Sequence, residues 1–144
     1  ALFHKIPELL FSMGVLLPIR CQIGGIHLKT YTGCLLITLS IFIAAIMILP
    51  SILQPSPLLT TGLLLVCSII CSYIGPIINP TRPKLALSQI KRCKYIACSS
   101  ILCYIMLSFA LHFNHYIVCG AWIIIIQTMQ LTVAKILSKR RKTL

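Results

Sequence analysis

The chain has 144 residues, 58% of them hydrophobic and 10% charged, with a mean hydropathy of +1.00. Such a composition excludes an ordinary soluble domain, and apolar runs that are continuous rather than alternating exclude a membrane β-barrel. Thirteen Lys and Arg stand against a single carboxylate, Glu8, giving a net charge of +12 that calls for an anionic partner.

Stretches of about twenty apolar residues recur, the length that crosses a bilayer. The sequence therefore predicts one all-α, polytopic transmembrane domain over residues 1–144. Ala1 to Leu17 reads as an N-terminal apolar helix marked by His4, Lys5, Pro7 and Glu8. It is either the end of a longer helix or a segment lying partly in the interface. The chain begins at Ala1, so a missing N-terminal start is expected, and no cleavable signal peptide is legible. Glu8 is expected to pair with Lys5, and orientation of His27 is its alternative role.

Pro18 is expected to end this segment, with a loop over 18–33 behind it. Four clear spans follow: Cys34 to Leu53, Leu58 to Asn79, Tyr95 to Leu111 and Tyr116 to Leu137. Pro50 and Pro55 mark the exit of the first. Gly75 and Pro76 are expected to kink or unwind the end of the second. A basic loop occupies 80–94 and a basic tail 138–144. The connections Pro50–Pro57 and His112–His115 carry no Lys or Arg, whereas the 18–33 loop, the 80–94 loop and the tail, with Lys135 just ahead of it, carry all the cations except Lys5. The positive-inside rule places those three segments in the cytoplasm. Anionic lipid headgroups are the first partner of this charge, and an acidic peptide is a further one. Nucleic acid is not expected, because the cations flank membrane spans and form no soluble face.

The eight cysteines do not suggest a disulfide framework. Cys67, Cys71, Cys98, Cys103 and Cys119 lie in or beside apolar spans, where free cysteine packs as a small hydrophobe. His112, His115 and Cys119 lack a neighbouring carboxylate and read as an interfacial turn, so no metal site and no cofactor are expected. Gln127 and Gln130 interrupt an apolar span and are read as interhelical hydrogen-bonding groups, with substrate passage as the alternative.

The stretch Arg20 to Cys34, RCQIGGIHLKTYTGC, holds the chemistry. A thiolate is the nucleophilic form of cysteine, and a nearby imidazole or cation favours it. Cys34 and His27 are the minimum apparatus for covalent acyl transfer, although eight cysteines and four histidines will also pair by chance. In one straight helix the two would sit ~10.5 Å apart along the axis, so His27 is expected to fold back over the start of the span that Cys34 opens. Gly24, Gly25 and Gly33 supply the backbone freedom for this. Arg20 is read either as a functional cation, adding positive potential at the site or binding a substrate carboxylate bidentately, or as a snorkelling lipid anchor. There is no aspartate, so a third member is Glu8, a neutral group such as Gln22 or Thr30, or a backbone carbonyl. Free N–H groups at the helix start are the candidates for stabilising an oxyanion.

The run Arg20–x4–Gly25–x–His27–x6–Cys34 before a transmembrane helix resembles the signature of the accessory gene regulator protein B (AgrB) family of membrane cysteine peptidases. Asn79–Pro80–x–Arg82–Pro83–Lys84, with Ile90–Lys91–Arg92–x–Lys94–Tyr95, resembles that family's basic loop. The resemblance implies a bacterial cell-membrane enzyme of quorum sensing that cleaves an AgrD-type propeptide. Cys34 would be the nucleophile and His27 the base, with Arg20 and Gly25 in support. An acyl-enzyme would then pass to a cyclic thiolactone or lactone. Arg82, Lys84, Lys91, Arg92 and Lys94 would hold the acidic part of the substrate, and a homodimer is a family expectation. The rival is a non-enzymatic transporter or structural membrane subunit, in which Gln127 and Gln130 line a path.

Overall fold

The computed structural model describes residues 3–24, 30–77 and 83–143. Among these residues all regular structure is helical. A short 3-10 turn, Phe3–Lys5, leads into α1, Ile6–Ile23. Helix α2, Tyr31–Ile43, runs without a break through a π turn, Ala44–Ile48, into α3, Leu49–Ile52. Then come α4, Pro57–Ile74, α5, Leu87–Ala110, and α6, His115–Thr143. Counting Tyr31–Ile52 as one stretch, five helices of 21, 22, 18, 24 and 29 residues are long and apolar enough to cross a membrane. The all-α polytopic reading holds, and the N-terminal segment is one of the five.

Several boundaries move, each for a local reason. Pro18 does not end the first helix: α1 continues through it to Ile23. The ring removes one backbone donor, but Leu16, Ile19 and Ile23 around it are buried and hold the turn in place. Pro50 likewise lies within its helical stretch rather than at an exit. Its missing N–H falls just after the π turn, where the wider backbone turn takes up the break in the hydrogen-bond ladder. Helix α2 begins at Tyr31, three residues before Cys34. Helix α5 begins at Leu87 rather than Tyr95, because Gln89 Oε1 accepts the Ala86 N–H at 3.1 Å and closes the first turn. Lys91, Arg92 and Lys94 therefore ride on a helix and not in a loop. The basic tail is also helical, and Arg140, Arg141 and Lys142 lie in the last turn of α6, where cations complement the helix dipole. At Gly75 the chain leaves α4 with φ +69, so the expected disruption is an end and not a kink.

Helix α6 is the axis of the bundle. Its most apolar stretch is 61% buried, against 22–28% for the other four. Ile117, Ala121, Ile124 and Leu131 pack with Ile19 and Ile23 of α1, Leu64, Cys67 and Cys71 of α4, and Ala97, Ile101 and Tyr104 of α5. A smaller cluster joins Leu16 and Ile123 to Phe42, Ala45 and Ile46. That second cluster is how the Tyr31–Ile52 stretch is attached. Phe42 is the one buried residue of α2, and the buried Ala45 and Ile46 belong to the π turn. Outward residues such as Leu36, Ile69 and Met106 are exposed and apolar, as a lipid-facing surface requires.

The bundle has two unlike ends. At one, Lys5 Nζ lies 3.3 Å from Glu8 Oε1 and 3.2 Å from His115 Nε2. At the other lie the C-terminal ends of α1 and α4 and the N-terminal ends of α2 and α5. There the Ile77 N–H donates to Ile23 O at 3.1 Å. Arg20, Lys84, Lys91, Arg92, Lys94 and the cations of α6 all belong to this second end, and among the described residues only Lys5 is a cation of the first.

Candidate functional site

Thr30 precedes α2 in extended geometry and its side chain makes no capping bond. The N–H groups of Tyr31, Thr32 and Gly33 therefore open the helix, and the Cys34 N–H is the first to be used, donating to Thr30 O at 3.2 Å. Cys34 is thus in the first turn of α2, at the partially positive end of the helix, which favours an anion. It is half-buried. Gly33 lies in helical conformation and is not where the chain uses a glycine's freedom; Gly24 is, with φ +79 as the chain leaves α1.

Arg20 lies one turn before the end of α1. Its Nη2 sits 4.0 Å from Cys34 Sγ. Its Nη1 is buried and has no hydrogen-bond partner among the described residues. The packing sets this guanidinium beside the thiol. Cys21, the other thiol of the motif, is exposed and lies in the last turn of α1, at the partially negative end of its helix.

The segment leaving α1 is tied down on two sides. Gln127 of α6, 4% exposed, donates from Nε2 to Gly24 O at 2.8 Å. The Ile77 N–H donates to Ile23 O, so the chain leaves α1 and α4 side by side. This brings the two motif blocks of the sequence to the same end of the molecule. Gln127 was legible as an interhelical hydrogen-bonding group, but its partner, 103 residues away, was not.

The described basic residues of the second block differ in exposure. Lys94 lies against Gly75, where an added Cβ would strike its Cε and Nζ. Lys91 and Arg92 are exposed on the first turns of α5, and Lys84 is exposed ahead of it. Gly25, His27 and Lys29 of the first block, and Asn79, Pro80 and Arg82 of the second, lie outside the described residues.

Glu8 does not join Cys34. It pairs with Lys5 at 3.3 Å and approaches His115 Nε2 at 3.7 Å, at the far end of α1. Twelve residues of helix separate it from Arg20, about 18 Å of rise. The reading of Glu8 as a third member of the site is thereby overturned in favour of its pairing with Lys5. His115 Nε2 also lies 3.7 Å from Cys119 Sγ, so the two form a polar turn with Lys5 and Glu8. All eight cysteines are free. Cys67, Cys71 and Cys119 are buried, and Cys71 Sγ lies 3.8 Å from Thr128 Oγ1 on α6, as expected for cysteines used in helix packing.

A family model described as AgrB, accessory gene regulator B, matches residues 1–131, which takes in all five helices except the basic end of α6. No curated protein and no solved structure matches the chain. The match covers the Arg20–Cys34 motif and the 79–95 block, which the bundle brings to one end. The chain belongs to the accessory gene regulator B family, and is a membrane protein of quorum sensing.

Proposed function

We propose that the chain is a membrane cysteine endopeptidase that cleaves an AgrD-type propeptide and passes the acyl group on to ring closure. The observation that carries this reading is the Arg20 guanidinium 4.0 Å from a cysteine sulfur in the first turn of a helix. A fixed cation and a helix N-terminus give that sulfur the electropositive setting in which nucleophilic cysteines are found. In the proposed reaction Cys34 Sγ attacks a peptide carbonyl carbon. The N–H groups of Tyr31, Thr32 and Gly33 are the donors for the oxyanion. His27 takes the Cys34 proton as the attack begins and passes it to the leaving amine as the C–N bond breaks, leaving a thioester on Cys34. A thiol or hydroxyl of the peptide, its proton taken by His27, then attacks that thioester, giving the cyclic thiolactone or lactone, and His27 returns the proton to the Cys34 sulfur. Water must be kept from the thioester, which suits a site at the membrane surface.

The cytoplasm is the proposed location of the Cys34 end, because the cations cluster there. Anionic headgroups and the acidic part of the propeptide are the proposed partners of Lys84, Lys91 and Arg92, with Arg82 assigned on sequence alone. The bond from Gln127 to Gly24 supports this reading over a transporter, because it commits that side chain to the loop and not to a path.

The test is processing of the propeptide by the full chain in lipid vesicles. Cys34→Ser should abolish it, and His27→Ala should lower the rate by about 10²–10⁴-fold. Cys21→Ser should leave the rate within a factor of about two, since Cys21 lies at the wrong end of its helix. An acyl adduct trapped on the wild-type protein should map to Cys34 by mass spectrometry. Normal cleavage by Cys34→Ser, or an adduct on Cys21, would sink the assignment.

A further inference from the structure

Gln127 is a buried polar side chain in the most buried helix of the bundle, and its amide is spent on one carbonyl. That carbonyl belongs to Gly24, the residue that ends α1 and begins the segment leading to Cys34. A hydrogen bond between helices inside a membrane is worth only about 0.6 kcal/mol on average, so stability alone is a weak reason for placing a glutamine there. Geometry is a better one. Gly24 has φ +79 and ψ −159, a conformation that sets the direction in which the chain departs. Its N–H is held by Arg20 O at 2.9 Å, and its carbonyl by Gln127 Nε2 at 2.8 Å. Both polar groups of the peptide at the root of the loop are therefore fixed, one by the residue that faces Cys34 Sγ and the other by the central helix. Thr128, the next residue, faces α4 through Cys71, so consecutive residues of α6 touch the two helices whose ends carry the motif blocks.

We infer that Gln127 is a positioning residue for the reaction: through Gly24 it holds the last turn of α1, and with it the Arg20 guanidinium beside Cys34 Sγ. It touches no reacting atom. The inference rests on the peptidase reading for its kinetic readout alone, since the tether itself is measurable without substrate. Displacing a reacting group by about 1 Å costs on the order of 10²-fold in rate, so loss of the tether should fall on kcat and leave KM nearly unchanged.

The experiment uses the full chain in vesicles with Gln127→Leu, which keeps the size and suits an apolar interior, and Gln127→Glu. Thr128→Val is the control, changing the neighbouring contact to α4. Gln127→Leu should lower kcat for propeptide cleavage by about 10- to 100-fold with KM within about twofold, and Thr128→Val should change neither. Gln127→Glu offers a carboxylate to the Gly24 carbonyl at neutral pH and an O–H donor when protonated. Its activity relative to wild type should therefore rise as pH falls, which a loss of packing would not produce. Without substrate, amide hydrogen exchange over the last turn of α1, residues 20–24, should accelerate at least about tenfold in Gln127→Leu while α6 keeps its protection. Unchanged exchange, or an unchanged kcat, overturns the inference. If the wild-type protein leaves the propeptide uncut, the peptidase reading falls, and the exchange data alone decide whether Gln127 holds the end of α1.

Discussion

Arg20 Nη2 lies 4.0 Å from Cys34 Sγ, although the two residues are 14 apart and sit on different helices. The contact exists because α1 passes through Pro18 instead of stopping there. The extra turn carries the guanidinium to the level of the first turn of α2. A helix ending at Leu17 would leave Arg20 in a loop, with no fixed position relative to the sulfur.

The charge at the sulfur should be measurable without substrate. Arg20→Gln should slow alkylation of Cys34 by iodoacetamide, mapped by mass spectrometry at neutral pH, by roughly 3- to 10-fold, because reactive cysteines sit in electropositive surroundings and this change removes the guanidinium 4.0 Å from the sulfur. Arg20→Lys should recover only part of the rate, since a lysine presents a point charge on a different stem and lacks the planar fork. Equal alkylation rates in all three proteins would return Arg20 to the role of a lipid anchor.

Two glycines should respond differently to alanine. At Gly120 an added Cβ meets the Tyr104 ring and hydroxyl, which donates to Ile117 O at 2.6 Å. Gly120→Ala should push the ring away, break a buried hydrogen bond and destabilise the bundle by about 2–3 kcal/mol. At Gly75 the added Cβ meets only the flexible end of Lys94, but φ is +69. Gly75→Ala should cost about 1–2 kcal/mol from backbone strain, and Lys94→Ala should not relieve it. Denaturant titration in mild detergent checks both, and full relief of Gly75→Ala by Lys94→Ala would show that crowding, not φ, sets the cost.

The exposed cations at the start of α5 should act on substrate capture. Replacing Lys91 and Arg92 together by Gln should raise KM about fivefold at 0.1 M salt, where the Debye length is about 10 Å, and the difference should vanish near 1 M. Lys94, set against Gly75, should contribute less. A KM equal to wild type at low salt would assign the pair to lipid headgroups.

The number of helices and the end of the bundle at which the charges gather were both legible, because apolar length and loop charge are local properties of a sequence. Helix starts were less so. Gln89 closes the first turn of α5 eight residues ahead of Tyr95, and a run containing Lys91, Arg92 and Lys94 hides that start from a hydropathy reading. Pro18 and Pro50 misled for the same reason: a proline ends a helix in water more readily than in a packed bundle, where burial of neighbours such as Ile19 and Ile46 outweighs one lost bond. At the candidate site, Cys34 and the nearby Arg20 could both be picked out from the motif, whereas the Gln127–Gly24 bond joins residues too far apart in sequence for spacing to reveal.

The helix that bears Cys34 is gripped at its far end, by Phe42, Ala45 and Ile46, while Leu35, Leu36 and Leu39 between grip and sulfur face outward. It is a lever, with the π turn at Ala44–Ile48 beside its fulcrum. From Ala45 to Cys34 the arm is about 16 Å, so a tilt of about 10° at the fulcrum carries the sulfur about 3 Å. That travel is comparable to its whole separation from Arg20. The register of the fatty, apolar contacts near Phe42 therefore governs the spacing of the polar groups a full arm's length away.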